Sequence, residues 1–574
     1  MRQRWGVPLV AWPARLRPNL WDLVALPLVL GLAALVAWGS LAMSARYSVG
    51  VELPISLDPA ALPEYALRTV LRMAWALLFS LAFSLAYGAL AAKSRRAEKI
   101  LIPVLDVLQS VPILGFLSIT VTGFIALFPG RLLGVECAAI FAIFTSQAWN
   151  MAFSVYQSLR TVPGELIEAA RMFHLSPWQR FWRLEVPHAT PQLVWNMMMS
   201  VSGGWFFVVA SEAITVSGHT ILLPGIGSYI ATAIARQSLR AIFYAVLVML
   251  VVIFLYDQLL FRPLIAWSRR FRADPIEEEE NTRPWFLVVL QRARLFDLAQ
   301  RAVLGLNRLG EEAIGTVPRR TARRERRPLP EFAFDLVVAG LALSGVAWIV
   351  AFVHNSVPLS EIGWVFVLGL FTAVRVLVLI GLASLIWVPV GVAIGLHPRL
   401  ADRVQPIVQF LAAFPANLFF PAVVVLILRF RLDPEIWLSP LMILGTQWYI
   451  LFNVVAGAGA IPAELRRAAQ NLGVRRLLWW RRLILPAIFP AYITGAVTAA
   501  GGSWNASIVA EIVQWGHTTL RATGLGAYIA ETTAAGDAPR IWLGIGVLCL
   551  YVLAFNRLLW RRLYDLAAER LRLD

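Results

Sequence analysis

An all-helical protein threaded repeatedly through a lipid bilayer, as two tandem sets of six spans, is the fold class this sequence predicts. Three observations lead there. The 574 residues are 59% hydrophobic and only 15% charged, with a mean hydropathy of +0.69, which is more apolar surface than a water-soluble core can hide. About twelve apolar runs are each long enough for the roughly 20 residues of helix that cross a hydrocarbon core about 30 Å thick. The second half also repeats the first at an almost fixed separation.

In order, the first-half runs lie near 21–43, 66–92, 100–125, 132–158, 189–213 and 239–263. Those of the second half lie near 333–354, 363–395, 404–428, 437–458, 485–510 and 541–560. The first run follows Arg2, Arg4, Arg15 and Arg17 and ends in Ala42-Met43-Ser44-Ala45, a faint cleavage-site pattern. It is too long for a signal-peptide core and reads as an uncleaved span. With the N-terminus inside, nearly every arginine cluster falls on inside loops: 93–99, 157–187, 267–327, 397–403, 459–482 and 561–574. That is the positive-inside distribution, with Arg429 and Arg431 as its clearest exceptions. The net charge of +17 is thereby explained by topology and not by a nucleic-acid surface. Cys137 and Cys549 lie inside apolar runs with no second ligand nearby, which argues against disulfide, zinc or thiol chemistry.

The repeat is exact at many positions. Pro163 and Pro462, Glu165 and Glu464, Ala169-Ala170 and Ala468-Ala469, and Pro187 and Pro486 are 299 residues apart. So are Gly203 and Gly502, Trp205 and Trp504, Glu212 and Glu511, and Tyr229 and Tyr528. Upstream, Arg72 and Arg375, Gly88 and Gly391, Pro103 and Pro406, and Pro112 and Pro415 are 303 apart, so the second copy has lost a net four residues between the positions of Pro112 and Trp149. An even number of spans per copy makes the copies parallel, with a pathway expected between them. The expected domains are 1–266, a cytoplasmic linker at 267–330, and 331–574. In the linker Leu295, Leu298, Ala302, Leu306 and Leu309 recur at helical spacing opposite Arg294, Arg301 and Arg308. This reads either as a solvated linker or as a basic amphipathic helix on the inner leaflet.

Between the fourth and fifth spans each copy carries a polar stretch, Glu165 to Leu193 and its repeat from Ala463 to Pro486. Pro163 suits the first turn of a helix, Glu165 and Glu168 favour its positive end, and Leu166, Ala169, Ala170 and Phe173 form an apolar face. Gly473 stands where such a helix stops in the left-handed conformation; its counterpart is His174, one of the few other residues enriched there. Ser176-Pro177-Trp178-Gln179 has the form of a capping box opening a second short helix that ends before Pro187. An ordinary interfacial loop is the plain reading. Two such protrusions at equivalent inside positions favour docking to a two-fold partner.

Glu168-Ala169-Ala170, six residues to the turn at His174 and thirteen more to a proline, resembles the EAA loop of binding-protein-dependent ABC importer permeases; Leu472-Gly473 and Leu483-Ile484-Leu485-Pro486 keep the register. The stretches LRMAWALLFSLAFSLAYGALAAKSRRAEKILIPVLDVLQSVPILGF and SEAITVSGHTILLPGIGSYI look like the nitrate, sulfonate and taurine branch of that family. The resemblance implies a MetI-like, type I importer fold in a bacterial inner membrane, with both termini cytoplasmic. It implies coupling helices (Glu165, Glu168, Ala169, Ala170, His174; Glu464, Arg467, Ala468, Ala469, Gly473) docked on two cytoplasmic ATPase subunits that bind ATP and Mg. It further implies an extracytoplasmic solute-binding protein, and a small solute such as nitrate, sulfonate, taurine or bicarbonate. His174 in place of glycine and Arg467 in place of glutamate depart from the motif.

The chain's two lysines, Lys93 and Lys99, lie in no phosphate-cradling loop, and no metal-ligand or nucleophile-elbow motif occurs, so no cofactor is expected in this chain. Glu212 and Glu511 are ionisable groups near the outer ends of the fifth spans, with Arg72 and Arg375 as partners if the role is structural. Gln109, Pro112, Trp205, Asn417, Trp504 and Asn505 complete the expected pathway, with Ser110, Gln147, Asn150, Ser202, Gln447, Ser503 and Ser507 as further seam residues, each of which can equally be an interhelical hydrogen bond. A secondary transporter with Asp106 as coupling group is the alternative from another class, and an intramembrane enzyme a third with no motif behind it.

Overall fold

The computed structural model describes residues 20–47, 53–110, 113–216, 219–271, 285–292 and 331–570. The first copy comprises α1 (Leu20–Met43), α2 (Leu62–Lys93), α3 (Arg95–Ser110), α4 (Ile113–Leu127), α5 (Leu133–Arg160), the short α6 (Gly164–Met172) and α7 (Pro177–Arg180), α8 (Val186–Ser211), a hairpin of β1 (Ala213–Val216) and β2 (His219–Leu222), α9 (Ile226–Ala235), α10 (Leu239–Tyr256) and α11 (Arg262–Ser268). Within the linker α12 (Trp285–Arg292) is described; the amphipathic pattern from Arg294 to Leu309 lies outside the described residues. The second copy comprises α13 (Glu331–His354), α14 (Leu359–Gly395), α15 (Pro398–Ala413), α16 (Phe420–Phe430), α17 (Pro434–Trp437), α18 (Gln447–Gly459), α19 (Ala463–Asn471), α20 (Arg476–Trp479), α21 (Leu485–Ala510), β3 (Ile512–Trp515), β4 (Thr518–Arg521), α22 (Leu525–Ala535), α23 (Ala538–Phe555) and α24 (Arg561–Arg570).

Among the described residues eight helices are long and apolar enough to cross a membrane, and two bent pairs raise the number to ten. α1 and the α3–α4 pair occupy the two remaining runs. The runs at 404–428 and 437–458 are therefore not the straight spans expected. Ile407–Ala413 and Ala416–Phe430 meet at 78°, and Pro434–Met442 and Gln447–Gly459 at 47°. Pro415 forces Phe414 out of helical conformation (ψ 128°), and the second pair breaks between Met442 and Gln447, where the first copy has the unbroken α5.

A second correction concerns Pro187 and Pro486, which do not end their helices. Wide π turns at Phe181–Glu185 and Trp480–Ile484 carry the chain from α7 into α8 and from α20 into α21, with Val186 N–H bonded to Phe181 O and Leu485 N–H to Trp480 O. Proline lacks the donor and crowds the carbonyl four residues back, and a turn bonded five residues back relieves both demands. A further pair, Asp257–Phe261 and Asn556–Trp560, again lies 299 residues apart. The duplication thus extends to the irregularities of the backbone.

The packing forms two units, residues 1–42, 157–195 and 255–328, and residues 43–156, 196–254 and 329–574. In the larger unit α2 lies against α5 at Gly88, where an added Cβ would sit 2.8 Å from the Val155 side chain and 2.9 Å from the Ala152 carbonyl. Gly391 makes the same approach to Val454, also at 2.8 Å. Close backbone approach through small residues is the usual means of helix association in lipid, where burial of apolar surface gives little drive. Gly88→Val is expected to cost about 1–3 kcal/mol through overpacking, seen as a lower midpoint of thermal aggregation in detergent; an unshifted midpoint would show that α2 and α5 can separate freely.

Candidate solute pathway and coupling loops

In the first loop α6 ends at Phe173, and His174 takes φ +52°. His174 N–H bonds to Arg171 O (2.9 Å) and Leu175 N–H to Ala170 O (3.0 Å), the paired bonds of a Schellman stop. The second loop repeats it: Gly473 at φ +70°, its N–H on Gln470 O (3.1 Å) and Val474 N–H on Ala469 O (2.9 Å). Replacing His174 by valine, whose branched Cβ resists that conformation, is expected to open the first loop to limited proteolysis while glycine leaves it closed; equal cleavage of both variants would count against a turn that depends on φ.

The entries to the second short helices differ. Ser176 Oγ accepts from Gln179 N–H (3.2 Å) and Gln179 Oε1 from Ser176 N–H (3.0 Å), completing the capping box, with Pro177 at N1. In the second loop Arg475 makes no side-chain cap and Arg476, where proline stands in the first, has φ +51°. Both loops expose an apolar residue at the helix end, Phe173 at 79% and Leu472 at 81%. Glu165, Glu168, Glu464, Arg467 and Ala468 are exposed, Ala169 and Ala469 half-buried, and Ala170 buried. Over 164–185 Glu165, Glu168 and Glu185 balance Arg171, Arg180 and Arg183, whereas over 463–484 Glu464 faces Arg466, Arg467, Arg475, Arg476, Arg481 and Arg482.

At the ends of α8 and α21 stand two matched ion clusters. Arg72, Glu136 and Glu212 are each 0% exposed. Arg72 grips Glu136 with Nε (2.6 Å) and Nη2 (2.7 Å) and Glu212 with Nη1 (2.6 Å). Glu212 also accepts from Thr69 Oγ1 (2.7 Å) and from Gly227 N–H (2.6 Å) at the start of α9. The second copy has Arg375 between Glu511 (3.0 Å) and Glu435, with Thr372 Oγ1 (2.8 Å) and Gly526 N–H (2.8 Å) on Glu511. Gly225 and Gly524 leave the room: a Cβ on either would overlap the glutamate carboxylate. Each cluster ties a span, the hairpin and the following short helix into one block. Beside it, outside the spans, burial pushes the Asp537 carboxyl up, but its bonds from the Arg540 side chain and N–H outweigh this and hold it below the usual range.

A cavity of about 390 Å³ lies in the larger unit between the copies. Gln109, Trp504 and Asn505 line it, along with Ser202 and Asn150. Four expected pathway residues do not. Trp205 is buried at 1% exposure, because α8 turns the adjacent Phe206 and Phe207 to the cavity. Glu212 and Glu511 lie beyond the helix ends, held by Arg72 and Arg375. Asn417 is spent on the Phe206 carbonyl (Nδ2, 3.2 Å). Pro112 lies outside the described residues, as do the Ser110 and Asp106 side chains. Gln147, Gln447, Ser503 and Ser507 make interhelical or local bonds, to Met73 Sδ, Trp387 Nε1, Thr446 Oγ1 and Trp504 O.

Sequence reasoning missed Glu136 and Glu435, although they are 299 residues apart and Glu136 stands at the head of an apolar run. It also missed the hairpins, signalled by β-branched runs flanking Ser-Gly and Gly-His, and it missed Tyr449. Across the seam Ile113 N–H bonds to Asn505 Oδ1 (3.0 Å) while Asn417 bonds to Phe206 O. Asn505 is the counterpart of Phe206, so the same position of the repeat makes both crossing bonds, once through its side chain and once through its backbone carbonyl.

Two like sets of apolar spans with a lined cavity in the larger unit are the setting of a membrane transport permease, and comparison with known proteins agrees. The chain belongs to the family described as the binding-protein-dependent transport system inner membrane component, which matches it twice, at residues 84–262 and 387–572. It is 27% identical over 177 residues to the nitrate import permease protein NrtB of Leptolyngbya laminosa, and 28% identical over 180 residues to the bicarbonate transport system permease protein CmpB of Synechococcus elongatus; each match covers 31% of this chain and 60% of the relative. To the taurine transport system permease protein TauC of Escherichia coli it is 28% identical over 141 residues, 24% of this chain and 49% of the relative. The chain thus spans about half to three-fifths of the length of these relatives.

Proposed function

We propose that this multi-pass chain carries both permease domains of an ABC importer fused in one polypeptide: 1–266 and 331–574, joined by a cytoplasmic linker at 267–330. The observation that carries this reading is the duplicated coupling loop, two Schellman-stopped helices ending in an exposed Phe173 and an exposed Leu472. Each loop docks on a cytoplasmic ATPase subunit, which binds ATP and Mg, through the positions of Glu165, Glu168, Ala169, Ala170 and His174 or Glu464, Arg467, Ala468, Ala469 and Gly473. An extracytoplasmic binding protein delivers a small anion such as nitrate, a sulfonate, taurine or bicarbonate. ATP-driven closure of the ATPases rocks the copies between outward and inward access in a bacterial inner membrane, with both termini cytoplasmic. An ion-coupled secondary transporter is the alternative and needs a titratable group on the path; its candidate, Asp106, has its side chain outside the described residues. The test is co-purification followed by uptake into vesicles: an ATPase subunit retained in detergent and uptake that requires ATP are expected. A chain that never retains an ATPase and transports without ATP would sink the importer reading.

A further inference from the structure

We propose that Gln237 is a positioning residue that keeps the outer end of the pathway closed, by latching the hairpin of the second copy onto α9 of the first; this rests on the permease reading and names the contact that must part before solute can enter. Phe207 and Ala506 are the last residues of α8 and α21 on the cavity wall. Both helices then run on to Ser211 and Ala510 and turn into the hairpins, beyond the cavity on the side that the topology of that reading puts outside. The hairpins cross between the copies: β1 packs against α22 of the second copy, and β3 against α9 of the first. At the end of β3 the crossing is a bond, Gly516 N–H to Ile234 O at 3.1 Å, and Gln237 Nε2 reaches over it to Trp515 O at 3.5 Å.

The two residues fit one another. Gly516 has φ +59°, and a Cβ there would overlap the Gln237 side chain, so the hairpin tip comes this close only as glycine. Gln237 has φ +53° where α9 ends, with its own N–H on Ile234 O (3.1 Å) and Ser238 N–H on Ala233 O (2.9 Å). The second copy ends α22 by the same paired bonds, at Gly536 with φ +72°. Glycine adopts that conformation freely and glutamine only at a cost. The first copy therefore holds a strained residue at a turn that its counterpart makes without strain, and what the glutamine adds is an amide lying on the other copy's hairpin. Gly536 has no side chain to offer in return, so the latch is one-sided. One backbone bond and one long amide bond are weak enough to part in each cycle, unlike the buried ion clusters that fix the base of each hairpin.

The test reads access to the cavity from outside. In right-side-out membrane vesicles carrying the full chain, with Cys137 and Cys549 replaced by alanine, Ser202→Cys on the cavity wall is labelled by a charged, membrane-impermeant methanethiosulfonate. The assay needs neither solute, binding protein nor ATP, so its failure is distinguishable from failure of the importer reading. Gln237→Gly is expected to raise the labelling rate about two- to tenfold, the range that one net hydrogen bond is worth, without lowering the midpoint of thermal aggregation, because glycine relieves the turn. Gln237→Asn, tolerant of the same positive φ but one methylene too short to reach Trp515, is expected to do the same. The proposal is overturned if either variant labels at the parent rate, or if faster labelling comes only with a lowered midpoint, which would make Gln237 a residue of the fold and not of the closure.

Discussion

Arg72→Ala protein is expected not to accumulate as a monodisperse species in detergent, whereas Arg375→Ala protein accumulates with a lowered midpoint of thermal aggregation. The two arginines hold equivalent posts and the difference lies in water access. Arg72 and both its carboxylate partners are sealed at 0% side-chain exposure. Arg375 is 13% exposed and its partner Glu435 43% exposed. Removing the only cation from a sealed cluster leaves two carboxylates facing each other with no water to separate them, a loss of about 3–5 kcal/mol. That is a large fraction of the roughly 5–15 kcal/mol by which folded domains are stable. In the second cluster water screens Glu435, so the loss is smaller; the donors that remain are matched, Thr372 and Gly526 on Glu511 as Thr69 and Gly227 on Glu212. A companion variant, Glu136→Gln, keeps the shape and removes one of the two negative charges; it is expected to accumulate. Should Arg72→Ala protein prove as stable as Arg375→Ala protein, burial would not be what separates the clusters.

The second large effect is expected at the loop tips. Phe173→Ala combined with Leu472→Ala is predicted to abolish retention of an ATPase subunit in detergent and to reduce ATP-driven uptake at least tenfold. An exposed apolar side chain at the end of a rigid helix is the kind of anchor that carries about 2 kcal/mol or more of an interface, and two lost anchors exceed the 1.4 kcal/mol that makes a factor of ten. Retention of the ATPase by the double variant would remove these residues from the interface. Arg467→Glu asks a different question, because the first loop is charge-balanced and the second carries one glutamate against six arginines. An unequal groove on the ATPase side predicts altered coupled ATPase activity; unchanged activity would end any claim of functional asymmetry between the loops.

The large features of the fold were legible because each rests on a periodic or local signal. Apolar length placed the spans, the 299-residue register paired the copies, and the turn at His174 followed from its alignment with Gly473 together with the tolerance of histidine for positive φ. What escaped depends on contacts distant in sequence. The pairing of Glu212 with Arg72, 140 residues away, was one of the two readings the sequence offered, and what escaped was the choice, because nothing local distinguishes a carboxylate bound by arginine from one facing a path. Trp205 and Phe206 differ by one helical step, and a hydropathy run carries no phase to say which one faces inward. Pro187 and Pro486 read as helix stops under the usual rule, and only the five-residue bonding of the π turn shows how the helix continues through them. Asn150 was legible as a polar residue within a span, but its counterpart Tyr449 was not, since an aromatic hydroxyl in an apolar run looks like packing.

The crossing bonds at the seam bear on assembly. Ile113 N–H relies on the Asn505 side chain, and the Asn417 side chain relies on the Phe206 carbonyl. Two first copies facing each other would present Phe206, which has no acceptor in its side chain, to each Ile113 N–H. Two second copies would set Asn417 and Asn505 where the first copy has Leu114 and Phe206, and could make both bonds. For these two bonds the first copy is not its own complement, so separate genes for the halves would have to be expressed in equal amounts to leave no first half without its partner. A single polypeptide fixes the ratio at one to one and makes the correct partner the nearest one.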